Sequence, residues 1–503
     1  MTNLLQKFQR RSLPWAAAGV VATLMSLPSA AQEKASSAVP APLMNLGSPR
    51  AYVDYSDGTF YLRSADDNII IGTGGRVHID TYAFGGPNVS DYRRGNGSAL
   101  GPYTFFRRFV LESGGIVRKH WFFWLGGNFA PTQVDQNQVS TSTANVYDGF
   151  VGWQANPHLQ VYAGQYNIPV TMENTTSSRW MDFMERALTV RTIAAPYNKD
   201  LGFLLWGATR EGAAPFEYQV GVFGGDGMNR PNVDLRIDGM ARVVIRPLAG
   251  RKGALERMHI GASGRYGSRD GSAVNYDAPT LSTPGGYAFW SPVYTLADKT
   301  EVHIIPTGNQ GVVGGEFYLP CERFDAKAEV VYAYEEMREA ASTARKVSLR
   351  QGALEGWGGY LQLSAWPIGK PRVNGNPAGR YFGLRPPKDR GAEAPHGLQL
   401  VARGELMRFN YDGNRRSPSV ADGAISATTT QIRVAALQFG ATYWATKHIR
   451  LTGEYSLYAF PGAPPSAGAS ATNQAAAPGA KANPANTSAD RLHEYSFRVG
   501  LAL

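Results

Sequence analysis

One polar stretch of the sequence, "TMENTTSSRWMDFMERALTVR" at residues 171–191, carries three arginines. They are Arg179, Arg186 and Arg191, and Ser177 and Ser178 directly precede the first of them. A guanidinium presents forked N–H donors that fit the oxygens of a phosphate or carboxylate, and a serine hydroxyl can donate beside it. These residue types indicate a site that binds oxyanions by charge and hydrogen bonding.

The composition of the whole chain points the same way. Of the 50 basic residues, 38 are arginine, which favours planar oxyanion-binding donors over compact ammonium charges. A GC-rich genome would also encode arginine often. The 8 histidines, among them His78, His120 and His158, show no catalytic spacing and no metal-ligand motif. An outer-membrane enzyme is therefore disfavoured, and we expect no metal and no cofactor.

The first 31 residues have the pattern of a secretory signal peptide: a basic start, a short apolar run and small residues at a cleavage site. The basic residues are Lys7, Arg10 and Arg11, with no acidic residue among them, so cleavage lowers the formal net charge from +10 to +7. Cys321 is the single cysteine, so an internal disulfide is excluded. Residues 32–68 are expected to form an N-terminal periplasmic segment.

Residues 69–503 repeat a two-residue alternation of apolar and polar side chains, as in "EYSFRVGLAL" at 494–503. Segments of ~10 alternating residues separated by turns are typical of outer-membrane barrels, and an even strand number fits closure. Sixteen such segments can be marked, at approximately 69–84, 104–114, 119–130, 145–155, 158–168, 200–209, 215–224, 235–247, 256–267, 310–319, 323–335, 356–367, 397–409, 431–444, 446–459 and 491–503.

The links between these segments also sort by length. Links after odd strands are mostly long and links after even strands mostly short, as expected for external loops and periplasmic turns. The links at 225–234 and 368–396 break this rule. We therefore predict an all-β fold, a transmembrane antiparallel β-barrel of sixteen strands that encloses a water-filled channel. A soluble sandwich or propeller is the alternative, although no repeat of about 40–50 residues supports propeller blades.

The arginine-bearing stretch then belongs to the third external loop, at 169–199. Folded into the lumen, this loop would narrow the channel, and "SRWMDFMERAL" could form a short helix whose N-terminus attracts anions. Alternatively the loop projects outward, and its arginines pair with Glu173, Asp182 and Glu185 on a solvated surface.

Several motifs resemble one known family. The run "VYAGQYNIPVTMENTTSSRWMDFMERAL" is similar to the segment of the phosphate-selective porin O and P family that reads, in outline, G-Q-x-x-x-P, T-S-S-basic and F-x-E-R. "GGRVHIDTYAF", "FFRRFVLESGGIVRKHWFFWLGGNFA" and "YNKDLGFLLWG" resemble neighbouring strands of that family, so the likeness covers roughly residues 70–230. The resemblance implies a homotrimeric sixteen-stranded outer-membrane channel, in which an inward-folded loop and wall arginines form an anion-binding constriction.

The resemblance also assigns residues to that constriction. They are Arg179 at the family's basic position with Ser177 and Ser178 beside it, Arg186 and Arg191 later in the loop, Arg76 in the first strand, and Arg107 and Arg108 in the second. Strand parity points Arg76 and Arg108 into the lumen. Arg107 shares a face with Phe109 and Leu111 and should point away, unless a bulge shifts the register.

These observations predict an anion-selective porin for phosphate or related oxyanions in the outer membrane of a Gram-negative bacterium. The expected partners are inorganic phosphate or other small anions, outer-membrane lipid and further copies of the chain in a homotrimer, with no nucleic acid. Asn128, where an acidic residue is expected, argues against a strict phosphate preference. The alternatives are a general, weakly anion-preferring porin, a pyrophosphate or sugar channel, and an adhesin that uses the long links 268–309 and 460–490.

Overall fold

The computed structural model describes residues 51–56, 59–87, 89, 94, 99–130, 133–135, 138–140, 144–209, 214–273, 275–295, 299–369, 396–413, 429–446, 448–460 and 491–502. The expected signal peptide at 1–31 and nearly all of the link at 460–490 lie outside these ranges.

Sixteen long antiparallel strands form the wall of the molecule. They are β1 (Ile69–Gly85), β2 (Tyr103–Val117), β3 (Trp121–Asn128), β4 (Asn145–Asn156), β5 (Leu159–Asn167), β6 (Lys199–Ala208), β7 (Phe216–Phe223), β8 (Asp238–Ile245), β9 (His259–Arg269), β10 (Glu301–Pro320), β11 (Phe324–Ala341), β12 (Arg350–Ile368), β13 (Gly397–Asp412), β14 (Thr429–Trp444), β15 (Ile449–Ala459) and β16 (Arg491–Ala502).

Each of these strands pairs with the next along the chain, and β16 pairs with β1 from His493↔Gly85 to Ala502↔Arg76. The sheet is therefore closed, and the prediction of a sixteen-stranded antiparallel barrel is confirmed. Strands β10, β11 and β12 extend further than predicted. In β10 the register shifts between Pro306 and Gln310, which breaks the alternation that the sequence pattern depends on.

The two faces of the wall differ in chemistry. In β13, alternate residues are buried, among them the charged Arg403 and Glu405, while Leu400 and Leu406 on the opposite parity are 44% and 56% exposed. We call these the polar and the apolar face. A strand that lies in hydrocarbon must keep its charges off the lipid side, because a mid-depth arginine there costs ~2–4 kcal/mol.

Residues outside the wall add little regular structure. Strands Ala51–Ser56 and Thr59–Ser64 form a hairpin that continues the sheet at β1 through Tyr61↔Gly72. The periplasmic placement of this region stays a prediction. The short helices are α1 (Met172–Thr175), a π-helix at Val190–Ala194 and 3-10 turns at Ala254–Arg257 and Ser342–Ala344. None of the helices in the described ranges has the length and apolarity needed to cross a membrane.

A bulge in β2 decides where its two arginines point. His78 pairs with Arg108, whereas the next residue, Ile79, pairs with Phe106, so Arg107 is the extra residue. Both arginines are buried as a result. Simple parity would point Arg107 away from the polar side, but the exception made for a bulge applies, and the bulge turns Arg107 towards the same side as Arg108.

A buried ion pair joins the first and last strands. Arg498 lies opposite Asp80 in the sheet, and its Nε and Nη2 donate to the two carboxylate oxygens at 2.6 Å each. Neither residue is accessible to solvent. The bidentate geometry fixes the register in which the barrel closes.

We expect Asp80→Ala to lower the free energy of unfolding by about 3 kcal/mol, because it leaves a buried guanidinium with part of its counter-charge removed. Urea unfolding of the protein folded into lipid vesicles measures this loss. Glu322→Ala is the control, since Glu322 is exposed in the turn after β10. An equal loss in both variants would contradict the role of the pair in closure.

Candidate functional site

The segment at 168–198, between β5 and β6, is buried along nearly its whole length. It contacts polar-face side chains from many strands around the barrel. These contacts include Thr171 with Ser263, Glu173 with Arg403, Met184 with Glu454, Glu185 with Arg498, Leu188 with Glu405 and Ser178 with Arg76. The segment thus contacts five strands of the wall, which are β1, β9, β13, β15 and β16.

The short helix that "SRWMDFMERAL" could form is not present in the structure. Wall side chains take the hydrogen-bonding groups that a helix would use. The backbone N–H of Leu188 donates to Glu405 at 2.6 Å, and the carbonyl of Met184 accepts from Arg498 at 2.6 Å. The helical turns lie instead on either side, at α1 and at Val190–Ala194, so no helix N-terminus faces Arg179.

The first charge cluster is centred on Glu112 of β2. Arg76 from β1 and Arg179 from the segment both form salt bridges with this carboxylate, the second at 2.6 Å. Arg76 Nη1 also donates to Ser178 Oγ at 2.8 Å, with Ser177 Oγ at 3.4 Å. Four of the predicted site residues are therefore brought together around one carboxylate that sequence reasoning did not assign to the site.

The second cluster is centred on Glu185 of the segment. Arg107 makes a bidentate contact with it at 2.8 and 3.0 Å, and Arg498 Nη2 donates to it at 2.9 Å. Arg108 Nη1 lies farther away, at 3.8 Å. Burial alone would raise the pKa of the Glu185 carboxyl, but these arginines hold that pKa well below its ordinary value. Glu185 therefore stays ionised.

Arg108 is the least satisfied of these cations. Its Nε and Nη1 are buried and have no hydrogen-bond partner among the described residues, and the same holds for Nδ1 of His78 on the neighbouring strand. A buried guanidinium nitrogen without a hydrogen-bond partner is costly, so these groups are candidates for hydrogen bonding to an anion.

Arg450 lies two strands from His78 in the same row of the sheet, separated by Gly500. Its guanidinium donates to the carbonyls of Ser178 and Met181 at 2.9 and 3.0 Å. A Cβ at Gly500 would lie 3.2 Å from Arg450 Cγ and 3.6 Å from His78 Cδ2, so a larger residue there would crowd the Arg450 side chain.

Arg186 and Arg191 lie outside both clusters. Arg186 donates to the carbonyls of Glu173, Asn174 and Thr176, which folds the segment back on itself. Arg191 Nη1 donates to the carbonyl of Ser282 at 2.7 Å. These two arginines hold backbone in place, and the structure does not bring them to the carboxylates of the clusters.

The acidic residues of the segment pair with the wall and not with the segment's own arginines. Glu173 pairs with Arg403 at 2.6 Å, Asp182 with Lys327, and Glu185 with Arg107. Sequence reasoning missed Arg403, Arg450 and Arg498 as site residues. Their parity within β13, β15 and β16 was the available signal, since each occupies the polar face.

The residues named in and around the two clusters include six arginines and four carboxylates, and the neighbouring Lys199–Asp148 pair adds one charge of each sign. The arginines are Arg76, Arg107, Arg108, Arg179, Arg450 and Arg498, and the carboxylates are Asp80, Glu112, Glu185 and Glu454. The arrangement carries a net positive charge. It suits reversible binding of anions.

Comparison with known proteins gives one family match. Residues 71–349 match the model of the family described as phosphate-selective porin O and P. No curated protein matches the chain.

Solved structures show only distant similarity. "Outer-membrane expressed OmpT of Vibrio cholerae" is 10% identical, with a TM-score of 0.46, and the match covers 87% of this chain and 98% of that one. The "outer membrane channel DcaP of Acinetobacter baumannii" is also 10% identical, with a TM-score of 0.45, and the match covers 88% and 99%. Likeness at this level carries no argument about function. The family match spans more than half of the chain, so this outer-membrane porin belongs to the phosphate-selective porin O and P family.

Proposed function

We propose that the protein is an anion-selective diffusion channel for phosphate or related oxyanions, with its constriction at the two arginine clusters. The observation that carries this proposal is Arg108, a buried guanidinium with two nitrogens lacking hydrogen-bond partners among the described residues. It lies within a group of six arginines and four carboxylates, so the excess charge is positive and a donor is available for a guest anion.

We also propose that the segment at 168–198 lies in the lumen. Its partners Ser263 on β9 and Arg76 on β1 belong to strands separated by half the circumference of the barrel. A single segment that contacts both, through the polar face of each, is accommodated most simply by crossing the interior. Arg179 of the segment then lies beside Arg76 of the wall, where both contact Glu112.

The carboxylates orient the arginines in this mechanism. Glu112 is shared by Arg76 and Arg179, and Glu185 is shared by Arg107 and Arg498. Sharing one carboxylate between two guanidinium groups holds both in place and leaves net positive charge. Further N–H groups remain available to replace part of the water shell of a passing anion.

Energetic limits explain why several moderate contacts suit a channel. One unit-charge pair at ~4 Å contributes ~4 kcal/mol at an effective dielectric of ~20. Two such contacts would give micromolar binding, at ~8 kcal/mol. Entry at ~10⁸ M⁻¹s⁻¹ would then limit exit to ~100 s⁻¹. Weaker sites at successive depths, such as the Glu112 and Glu185 clusters, allow faster exchange.

The proposal extends to the oligomeric state of the protein and to its export. We infer a homotrimer in the outer membrane of a Gram-negative bacterium, reached after cleavage of the segment at 1–31. The family match supports the trimer, because the resemblance to this family implies a homotrimeric channel. Native mass spectrometry of the purified protein measures the oligomeric state.

The first test is ion selectivity in a planar lipid bilayer under a chloride gradient. The wild-type channel should give a reversal potential of anionic sign. Arg108→Gln combined with Arg179→Gln should reduce the preference for chloride over potassium about tenfold, the lower end of the enrichment that a charged cleft provides.

The matched control removes the same charge elsewhere. Arg251→Gln with Arg257→Gln neutralises two exposed arginines between β8 and β9 and should leave selectivity unchanged. Equal effects of the two double variants, or a cation-selective wild type, would refute the proposed constriction.

The second test titrates phosphate against chloride current in single-channel recordings. Phosphate should block chloride current at low concentration, and Arg108→Gln should raise the half-blocking concentration about tenfold, because a charged hydrogen bond contributes ~1.5–3 kcal/mol. Arg107→Gln should have a smaller effect, since Glu185 occupies two of its nitrogens. Absence of phosphate block would indicate a general porin, and block by pyrophosphate or sugars would indicate those solutes instead.

A further inference from the structure

A second bulge, in β4, turns Tyr147 towards the polar face of the wall. Gly126 of β3 pairs with Asp148, whereas the next residue, Gly127, pairs with Val146, so Tyr147 is the extra residue. Tyr147 and Asp148 are consequently both buried, at 7% and 3% exposure. Simple alternation would have placed these two neighbours on opposite faces of the sheet.

The ring of Tyr147 contacts two cations. The Cζ atom of Arg76 on β1 lies 4.9 Å from the ring centroid, and the Nζ atom of Lys199 on β6 lies 4.4 Å from it. Both distances are within the range of cation–π attraction, about 6 Å. Lys199 is held in turn by a salt bridge to Asp148 at 2.5 Å. These contacts fix the ring and therefore the direction of its hydroxyl.

The hydroxyl of Tyr147 lies among arginines of both charge clusters. Arg76 and Arg179, which belong to the first cluster, both interact with it electrostatically. Arg108, from the second cluster, interacts with it more strongly than with Glu185, whose carboxylate is 3.8 Å away. Tyr147 therefore connects the two clusters.

Several hydrogen-bond donors around this hydroxyl lack partners. The Nε atoms of Arg76 and Arg179, and both Nε and Nη1 of Arg108, are buried and have no hydrogen-bond partner among the described residues. The Tyr147 hydroxyl also forms no hydrogen bond within the described part of the chain. Buried donors without partners are rare in folded proteins, and an anion held between the clusters would supply acceptors for these groups.

We propose that Tyr147 sets the preference of the channel for oxyanions over chloride, by donating a hydrogen bond to an oxyanion held between the two clusters. This inference rests on the proposed anion channel and adds the residue that selects the class of anion. A tetrahedral oxyanion presents several oxygens, so one can accept from Tyr147 while others accept from Arg108 and Arg76. Chloride is a single atom, so the loss of one directed donor affects it less.

A neutral hydroxyl also suits exchange between the clusters. A hydrogen bond from Tyr147 orients the oxyanion without adding a further positive charge, and strong charge attraction would slow the exit of the ion. An oxyanion that leaves Arg179 can keep its bond to Tyr147 while it reaches Arg108. The residue therefore contributes selectivity at little cost in flux.

The test is Tyr147→Phe in single-channel recordings, with phosphate titrated against chloride current. The variant keeps the ring and its contacts with Arg76 and Lys199, and it removes only the hydroxyl. The half-blocking concentration of phosphate should rise about tenfold, because a hydrogen bond to a charged group is lost. Block by sulfate, a second tetrahedral oxyanion, should weaken as well. Chloride conductance without these oxyanions should remain that of the wild type.

Tyr495→Phe is the matched control, because it removes a hydroxyl from the apolar face of β16, where Tyr495 is 50% exposed. It should change neither phosphate block nor chloride conductance. An unchanged phosphate block in Tyr147→Phe would overturn the proposal. An equal loss of phosphate block and chloride conductance would also overturn it, since the hydroxyl would then act on all anions alike.

A second readout does not depend on current. With 3-fluorotyrosine incorporated at position 147 of the full chain in micelles, the ¹⁹F resonance should shift when inorganic phosphate is added. It should not shift when chloride is added at the same ionic strength. Absence of a phosphate-dependent shift would contradict direct contact between the anion and Tyr147.

The reversal potential in a chloride gradient separates this inference from the proposed function. If the wild type is anion-selective and Tyr147→Phe blocks as the wild type does, only the role of Tyr147 is refuted. A cation-selective wild type would refute the channel itself, and the inference with it.

Discussion

The organisation of this protein depends on one constraint: the buried charges on the polar face of a closed sheet must be compensated by partners of opposite charge or by hydrogen bonds. Sixteen strands place many arginines and carboxylates on that face, and a buried charge without a partner costs several kcal/mol. The segment at 168–198 supplies partners for wall residues from five or more strands. Its own structure follows from this, because hydrogen bonds to Glu405 and Arg498 replace those of a helix.

The arginine charges on the polar face are only partly compensated by carboxylates. Asp80 and Glu185 neutralise much of the charge of Arg498 and Arg107. Arg108 approaches Glu185 only to 3.8 Å, and Arg450 donates to backbone carbonyls. Guanidinium groups suit this arrangement because they stay charged and present several donors in fixed directions. A lysine in their place would offer a single point of charge.

Much of the fold could be predicted because membrane barrels repeat one simple rule. Alternation with a period of two and the sorting of links by length identified all sixteen strands, including the terminal strand that closes the barrel. The site was less predictable. Arg76 and Arg179 were identified through the resemblance, but the carboxylates they share, and the arginines on β13, β15 and β16, are distant in sequence and meet only after closure.

By itself, the sequence determined the strand number, the closure and which positions are polar, because these follow from local alternation of side chains. Only the tertiary structure decided which charges meet. The bulge at Arg107 reverses a parity assignment, and no local pattern reveals it, because it arises from the pairing of His78 with Arg108 and Ile79 with Phe106. The absence of a helix over "SRWMDFMERAL" also results from contacts between distant parts of the chain. Long-range hydrogen bonds outweighed a local helical preference, and those partners exist only in the closed sheet.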